Sequence, residues 1–99
     1  MVKTVATGVA AVNYVRQQHV DLVLLDMHLE VGLDGLDVYK QILQYKPEQK
    51  VIIVSGYAEN DRVREALSLG VRRTLRKPYS LNRLGKIIRE VLTGDGKQG

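Results

Sequence analysis

The chain has 99 residues, contains no cysteine and carries a formal net charge of +4 at pH 7. This length suits one domain with a modest core, and the absence of cysteine excludes disulfides and thiolate metal sites. No segment approaches the length of a bilayer span, so we expect no direct membrane contact and a cytoplasmic location. The basic residues are dispersed and fit no nucleic-acid motif, which favours interspersed surface charge over direct nucleic-acid binding.

The first predicted elements are a strand and a helix. Val2 to Ala6 is a short segment of strand type, and Thr7-Gly8 opens a helix that ends near Gln18. The apolar face of this helix includes Val9, Val12 and Val15. We predict one domain over residues 1–92, followed by a Gly-rich, polar and disordered tail over 93–99.

The next element is a run of apolar residues that ends in a carboxylate. Leu22 to Leu25 shows no polar alternation, which is typical of a strand buried on both faces of a parallel sheet. Asp26 follows directly, and ligands of open α/β sheets bind at the carboxyl ends of strands. From this strand alone, a functional carboxylate and an Asp that merely caps the next turn are about equally supported.

A helix, a strand and a second helix come next. A helix after Gly35 stops before Pro47, with Leu36, Val38, Tyr39, Ile42 and Leu43 at helical spacing. The strand Val51–Val54 leads to Ser55. A helix capped by Asn60 or Asp61 then buries Val63, Ala66 and Leu67 and ends at Gly70. The order predicts an α/β fold.

The last two elements complete the pattern. Arg73–Arg76 is a short strand that leads to Lys77-Pro78, a junction that disfavours helix and is compatible with a cis bond. Ser80 caps the final helix, whose inner face is predicted to hold Leu81, Leu84, Ile87, Ile88 and Val91. Three strands thus present a carboxylate, a hydroxyl and an ammonium (Asp26, Ser55 and Lys77) at one edge of the sheet.

These motifs, together with Asp34-Gly35, resemble the signature of response-regulator receiver domains. The resemblance runs from Val2 to about Leu92, and Ile53-Val54-Ser55-Gly56-Tyr57 is similar to the C-terminal receivers of hybrid sensor histidine kinases. It implies a three-layer, flavodoxin-like parallel sheet with flanking helices. Family members begin with a strand that ends in paired acids, and then a helix. This sequence shows no counterpart of that first strand, of its acidic pair or of that first helix.

The resemblance also implies the roles of the site residues. Asp26 would accept a phosphoryl group from a histidine kinase or phosphotransfer domain, with Lys77 and Ser55 as catalytic partners. Ser55 and Thr74 would occupy the switch positions, although the family usually has an aromatic residue where Thr74 stands. Mg²⁺ would bind Asp26 and the backbone carbonyl of His28, and we expect weak or no binding without the acidic pair.

Other functions stay open. A pseudo-receiver, which binds partners independently of phosphorylation, is the alternative to a phosphoaccepting receiver. A flavodoxin-like enzyme is less well supported, because no Gly-rich phosphate loop follows the Val2 strand. We expect a module without turnover of its own, although its parent chain could be a hybrid kinase. The unfilled position in the sheet leaves three alternatives: the Val2 strand moves over to fill it, a partner chain fills it, or the sequence is an N-terminally incomplete piece of a longer domain. We favour the incomplete domain, in which a homodimer supplies the missing pairing.

Overall fold

Four helices and three strands alternate along the part of the chain that the structure describes. The structure is a computed structural model, and it describes residues 8–27, 34–56 and 61–93. In chain order the elements are α1 (Gly8–Gln17), β1 (Val23–Asp26), α2 (Gly35–Tyr45), β2 (Val51–Ser55), α3 (Asp61–Leu69), β3 (Arg73–Arg76) and α4 (Leu81–Thr93).

The strands form a parallel sheet in the order β1-β2-β3. Val23 lies opposite Val51 and Asp26 opposite Val54, while Ser55 lies opposite Arg76. Because the strands are parallel, their carboxyl ends meet at one edge of the sheet. The predicted α/β architecture with a parallel sheet and flanking helices is therefore confirmed.

Alternate residues of each strand pack against different helices. Val23, Leu25, Val51 and Ile53 belong to a buried cluster with residues of α1, α2 and α3. The intervening residues of the strands belong to a second cluster with α4, whose buried members are Leu22, Ile52, Val54, Leu75, Ile87 and Val91. The sheet is thus the middle of three layers, which explains why its strands lack polar alternation.

Local signals set most of the element ends as predicted. The backbone N–H of Arg83 donates to the side chain of Ser80 at 3.0 Å, so Ser80 caps α4. Gly70 ends α3 with a φ of 123°, a left-handed conformation that glycine adopts without steric cost. The Lys77–Pro78 peptide bond is cis.

Two predictions of buried helix residues are wrong. Leu67 is 37% exposed and Leu81 is 82% exposed. In α3, Val63 and Ala66 point to the core, and Leu67 lies about 100° further around the helix than Ala66. Leu81 is the first residue of α4, which buries Ile87 and Val91 further along its length.

Small differences concern the ends of two elements. Leu22 is buried, but the strand begins at Val23. Thr93, assigned to the disordered tail, is the last residue of α4, where its hydroxyl donates to the carbonyl of Arg89 at 2.9 Å. The predicted strand Val2–Ala6 and residues 94–99 lie outside the described residues. None of the helices described is both long enough and apolar enough to cross a membrane.

Candidate functional site

The carboxyl edge of the sheet brings Asp26 and Lys77 into direct contact. Lys77 Nζ lies 2.5 Å from Asp26 Oδ2, although 51 residues separate the two in sequence. The side chains are 42% and 32% exposed, for Lys77 and Asp26 respectively. The carboxylate is therefore accessible to a reagent from solvent and already paired with a cation.

Backbone hydrogen bonds set the positions of these strand ends. The N–H of Met27 donates to the carbonyl of Val54 at 2.7 Å, and that of Lys77 donates to the carbonyl of Ser55 at 2.7 Å. The pairing of β1 with β2 thus continues to Met27, and the pairing of β3 with β2 continues to Lys77. The side chains of Asp26 and Lys77 are therefore attached to backbone that β2 holds on one side.

Ser55 ends the central strand between the two charged groups. Ser55 is 4% exposed, and among the described residues it is the one polar residue that is buried. Thr74 lies opposite Ile53 in the pairing of β3 with β2, while Ser55 lies opposite Arg76. Thr74 is partly buried, and it faces away from α4, because its neighbour Leu75 belongs to the α4 cluster. His28 lies outside the described residues.

The described residues do not by themselves form a divalent metal site. No group of three or more His, Asp or Glu side chains that could hold a metal ion occurs in the ranges 8–27, 34–56 and 61–93. Mg²⁺ prefers several oxygen ligands in octahedral geometry. The carboxylate of Asp26, which is paired with Lys77, meets only a small part of that requirement.

Close packing against the backbone of Asp26 and Met27 explains why a glycine follows Asp34. The N–H of Gly35 donates to the carbonyl of Met27 at 3.0 Å. A Cβ at this position would lie 3.1 Å from both the carbonyl oxygen of Asp26 and the Cα of Met27. The start of α2 is therefore packed directly against the backbone that carries Asp26, and a Cβ here would require that backbone to shift by a few tenths of an ångström.

Asp34 is the N-cap of α2 and forms a capping box with Asp37. Asp34 Oδ1 accepts from the N–H of Asp37 at 3.0 Å, and Asp37 Oδ2 accepts from the N–H of Asp34 at 3.2 Å. Partial burial acts to raise the pKa of Asp34. The hydrogen bonds from Arg62 and from the N–H of Asp37 outweigh that effect and hold the pKa below its usual 3.8.

The contacts of Arg62 are not visible in the sequence, where it is one of the dispersed basic residues. Its guanidinium donates to both oxygens of Asp34 and, at 3.0 Å, to Asp37 Oδ1. The spacing of Asp34 and Asp37 was a usable sign of a capping box. Nothing in the local sequence connects Arg62 to it, because the residues are 28 and 25 positions apart.

A cavity of about 560 Å³ lies at the opposite, amino-terminal edge of the sheet. Its lining includes His19, Asp21, Tyr45, Lys50 and Leu92. We place the candidate site at the carboxyl edge instead, because that edge holds the contact between Asp26 and Lys77. Chemistry in open parallel sheets is also found at the carboxyl ends of the strands.

Comparisons with known proteins agree with this geometry. Residues 1–89 match the family model described as "Response regulator receiver domain". The sporulation initiation phosphotransferase F of Bacillus subtilis is 31% identical over 87 residues, which cover 88% of this chain and 69% of that protein. The transcriptional regulatory protein ComA of B. subtilis is 35% identical over 75 residues, which cover 76% of this chain but 35% of that protein.

Solved structures show the same likeness. A CheY-like response regulator receiver domain protein from Methanospirillum hungatei superposes with a TM-score of 0.74 at 26% identity, covering 86% of this chain and 67% of that one. A response regulator receiver domain protein from Clostridium thermocellum gives a TM-score of 0.68 at 29% identity, covering 77% of this chain and 60% of that one.

Proposed function

The chain belongs to the response regulator receiver domains, and from that premise we propose that Asp26 accepts a phosphoryl group in a two-component phosphorelay. The observation that carries this proposal is the 2.5 Å contact between Lys77 Nζ and Asp26 Oδ2 at the accessible edge of the sheet. The donor would be the phosphohistidine of a histidine kinase or of a phosphotransfer domain.

The transfer exchanges one bond to phosphorus for another. A carboxylate oxygen of Asp26 attacks the phosphorus, and the bond from phosphorus to the donor imidazole breaks. The electron pair of that bond stays on the imidazole nitrogen, and an aspartyl phosphate forms. Such reactions depend mainly on positioning and on the stabilisation of charge.

The neighbours of Asp26 suit that requirement. The phosphoryl group adds about −1.5 to −2 charges and three acceptor oxygens. Lys77 can transfer its contact from the carboxylate to a phosphoryl oxygen, because its side chain is 42% exposed. Ser55, at the end of the central strand, supplies a hydroxyl donor, and with Thr74 it would take the switch positions. Because Thr74 stands where the family usually has an aromatic residue, the acyl phosphate would alter the surface formed by α3, β3 and α4 only slightly.

Mg²⁺ is the cofactor that the family resemblance implies. Because the described donors do not form a complete site, we propose that this 99-residue chain binds Mg²⁺ weakly. Calorimetric titration of Mg²⁺ into the chain, with Asp26→Asn as the control, tests this. Tight binding that survives in the variant would show that other residues hold the metal.

A pseudo-receiver is the second candidate. The observation that favours it is the same small donor set around Asp26, since a receiver that binds Mg²⁺ poorly accepts phosphoryl groups slowly. In that case the chain would bind its partners through receiver architecture without phosphorylation.

Labelling separates the two functions. The chain is incubated with acetyl phosphate at high Mg²⁺, and intact mass spectrometry measures the gain of one phosphoryl group. We expect a hydroxylamine-sensitive adduct, as an acyl phosphate would give, and no adduct in Asp26→Asn. Equal labelling of the variant would show that Asp26 is not the acceptor. No labelling of either protein would favour the pseudo-receiver.

The assembly and cellular setting are further parts of this proposal. Receiver domains interact with histidine kinases or phosphotransfer proteins, and we propose a cytoplasmic partner of this kind. Among the described residues, β1 pairs with β2 along one edge. We propose that a second copy of the chain pairs along the other edge of β1. Light scattering after size exclusion should then give the mass of a dimer. A well-folded monomer at micromolar concentration would contradict dimerisation.

A further inference from the structure

Arg62 joins the starts of the two helices that follow Asp26 and Ser55 in the chain. Asp34 is the N-cap of α2, and Arg62 is the second residue of α3. Arg62 contacts Asp34 directly, so the first turns of α2 and α3 are held together. We call the contacts among Arg62, Asp34 and Asp37 the carboxylate clamp.

The carboxylate clamp has a geometry that suits arginine. Arg62 Nε and Nη2 donate to the two oxygens of Asp34, the latter at 3.0 Å, and Nη2 also donates to Asp37 Oδ1 at 3.0 Å. A two-pronged contact of this kind restricts orientation as well as distance. Lysine presents a single ammonium and cannot reproduce it.

The carboxylate clamp is continuous with the backbone of the acceptor. Asp34 precedes Gly35, whose N–H donates to the carbonyl of Met27, and Met27 follows Asp26. A Cβ on Gly35 would lie only 3.1 Å from the Asp26 carbonyl oxygen, which is a tight contact. A shift of α2 relative to α3 would therefore reach the backbone of Asp26 through Gly35 and Met27.

We propose that Arg62 is a positioning residue for phosphorylation of Asp26, an inference that rests on the proposed function. By holding Asp34 against α3, it limits the movement of Gly35, which donates to the carbonyl of Met27, the residue that follows Asp26. Its single positive charge also offsets one of the two carboxylate charges at the start of α2, which lessens their repulsion of an incoming phosphoryl dianion.

The packing of α2 on α3 has other supports, so variants of Arg62 should fold. Lys40 Nζ pairs with Glu65 Oε2 at 2.9 Å further along the same two helices. The hydroxyl of Tyr39 donates to the carbonyl of Leu69 at 3.4 Å, and α3 buries its own Val63 and Ala66.

Arg64 provides a matched control on the same helix. Arg64 Nη2 pairs with Asp61 at 2.5 Å, but both side chains are exposed and the contact stays within α3. Substituting either arginine with glutamine removes one positive charge from one helix. Only the change at Arg62 opens the contact with α2.

The test compares the rates at which acetyl phosphate labels wild type, Arg62→Gln, Arg62→Lys and Arg64→Gln at high Mg²⁺. All are measured well below their unfolding temperatures, as checked by circular dichroism. We expect Arg62→Gln to lower the maximal rate about three- to tenfold, with little change in the half-saturating acetyl phosphate concentration. Arg62→Lys should recover part of the loss, and Arg64→Gln should match wild type.

Each outcome bears on a different claim. Equal maximal rates for Arg62→Gln and Arg64→Gln would overturn the positioning role and leave the proposed function intact. Full recovery by Arg62→Lys would also overturn it, since charge alone would then be sufficient. If wild type is not labelled, the proposed function fails and this inference fails with it.

Discussion

The carboxyl edge of the sheet and the apolar clusters below it differ in almost every physical respect. At the edge, Asp26 and Lys77 form an ion pair that is about one-third to two-fifths exposed. In the clusters, Ile52, Ile53 and Leu75 are at most 1% exposed. Exposed ion pairs contribute about 0–1 kcal/mol to stability, whereas burying one large apolar side chain contributes about 1.5–3 kcal/mol. Substitutions should therefore separate chemistry from stability.

The largest effect on stability is expected in the central strand. Ile53→Ala removes a fully buried side chain from the cluster beneath α1, α2 and α3, and should lower the free energy of unfolding by about 3 kcal/mol. Leu81→Ala is the control, because Leu81 is 82% exposed and should change stability by less than about 0.5 kcal/mol. Urea titration at low temperature measures both. Equal losses would mean that the first turn of α4 is packed in solution.

At the carboxyl edge we expect a large effect on phosphorylation and a small effect on stability. Lys77→Ala removes the cation that contacts Asp26 and should slow labelling by acetyl phosphate roughly 100-fold, because charge stabilisation at the transferred group is lost. Its unfolding free energy should fall by no more than about 1 kcal/mol. Mass spectrometry measures the labelling rate and urea titration the stability. A large loss of stability with unchanged labelling would reverse the comparison between edge and core.

Two glycines sharpen the comparison, because the same substitution should act in opposite directions. Gly35→Ala places a methyl group 3.1 Å from the backbone of Asp26 and Met27, which should cost about 1–3 kcal/mol and slow labelling. Gly85→Ala has open space around it in α4 and should stabilise the domain by about 0.5–1 kcal/mol. Thermal unfolding of both variants measures the difference. A neutral Gly35→Ala would show that the Asp26 backbone moves freely.

The smallest effect concerns pH. The pKa of Asp34 is lowered in the folded state, so its ionised form stabilises the fold. That contribution is complete above the usual value of 3.8 and is lost as the pH falls through the lower, folded pKa. Urea titrations between pH 6 and acid should show a smaller acid-dependent loss in Asp34→Asn than in wild type. Parallel curves would mean that Asp34 is not held by Arg62 in solution.

Much of the fold was predictable because its signals are local. The runs Leu22–Leu25 and Val51–Val54 are apolar without alternation, and only strands covered on both faces tolerate that pattern. Ser80 and Gly70 mark helix ends through hydrogen bonds and backbone conformation within a few residues. Parallel pairing then required that Asp26, Ser55 and Lys77 meet at one edge, which is the arrangement observed.

Helix burial was less predictable, because helical spacing alone does not define how far a neighbouring layer extends. Leu84 and Ile88 have the spacing of Ile87 and Val91, yet they are only partly buried. Leu81 shares the same pattern and is almost fully exposed. Which apolar residues are covered depends on the position of the helix over the sheet, a property of the whole packed domain.

The sequence by itself determined the order of the described elements, the helix ends at Gly70 and Ser80, and the three chemical groups at the strand ends. These depend on interactions between residues close in the chain and on the geometry of parallel strands. Only the tertiary structure decided that Arg62 reaches Asp34 and Asp37, and that Gly35 is pressed against the Asp26 carbonyl. Such contacts depend on where two helices come to rest against each other, and packing of the buried core determines that position.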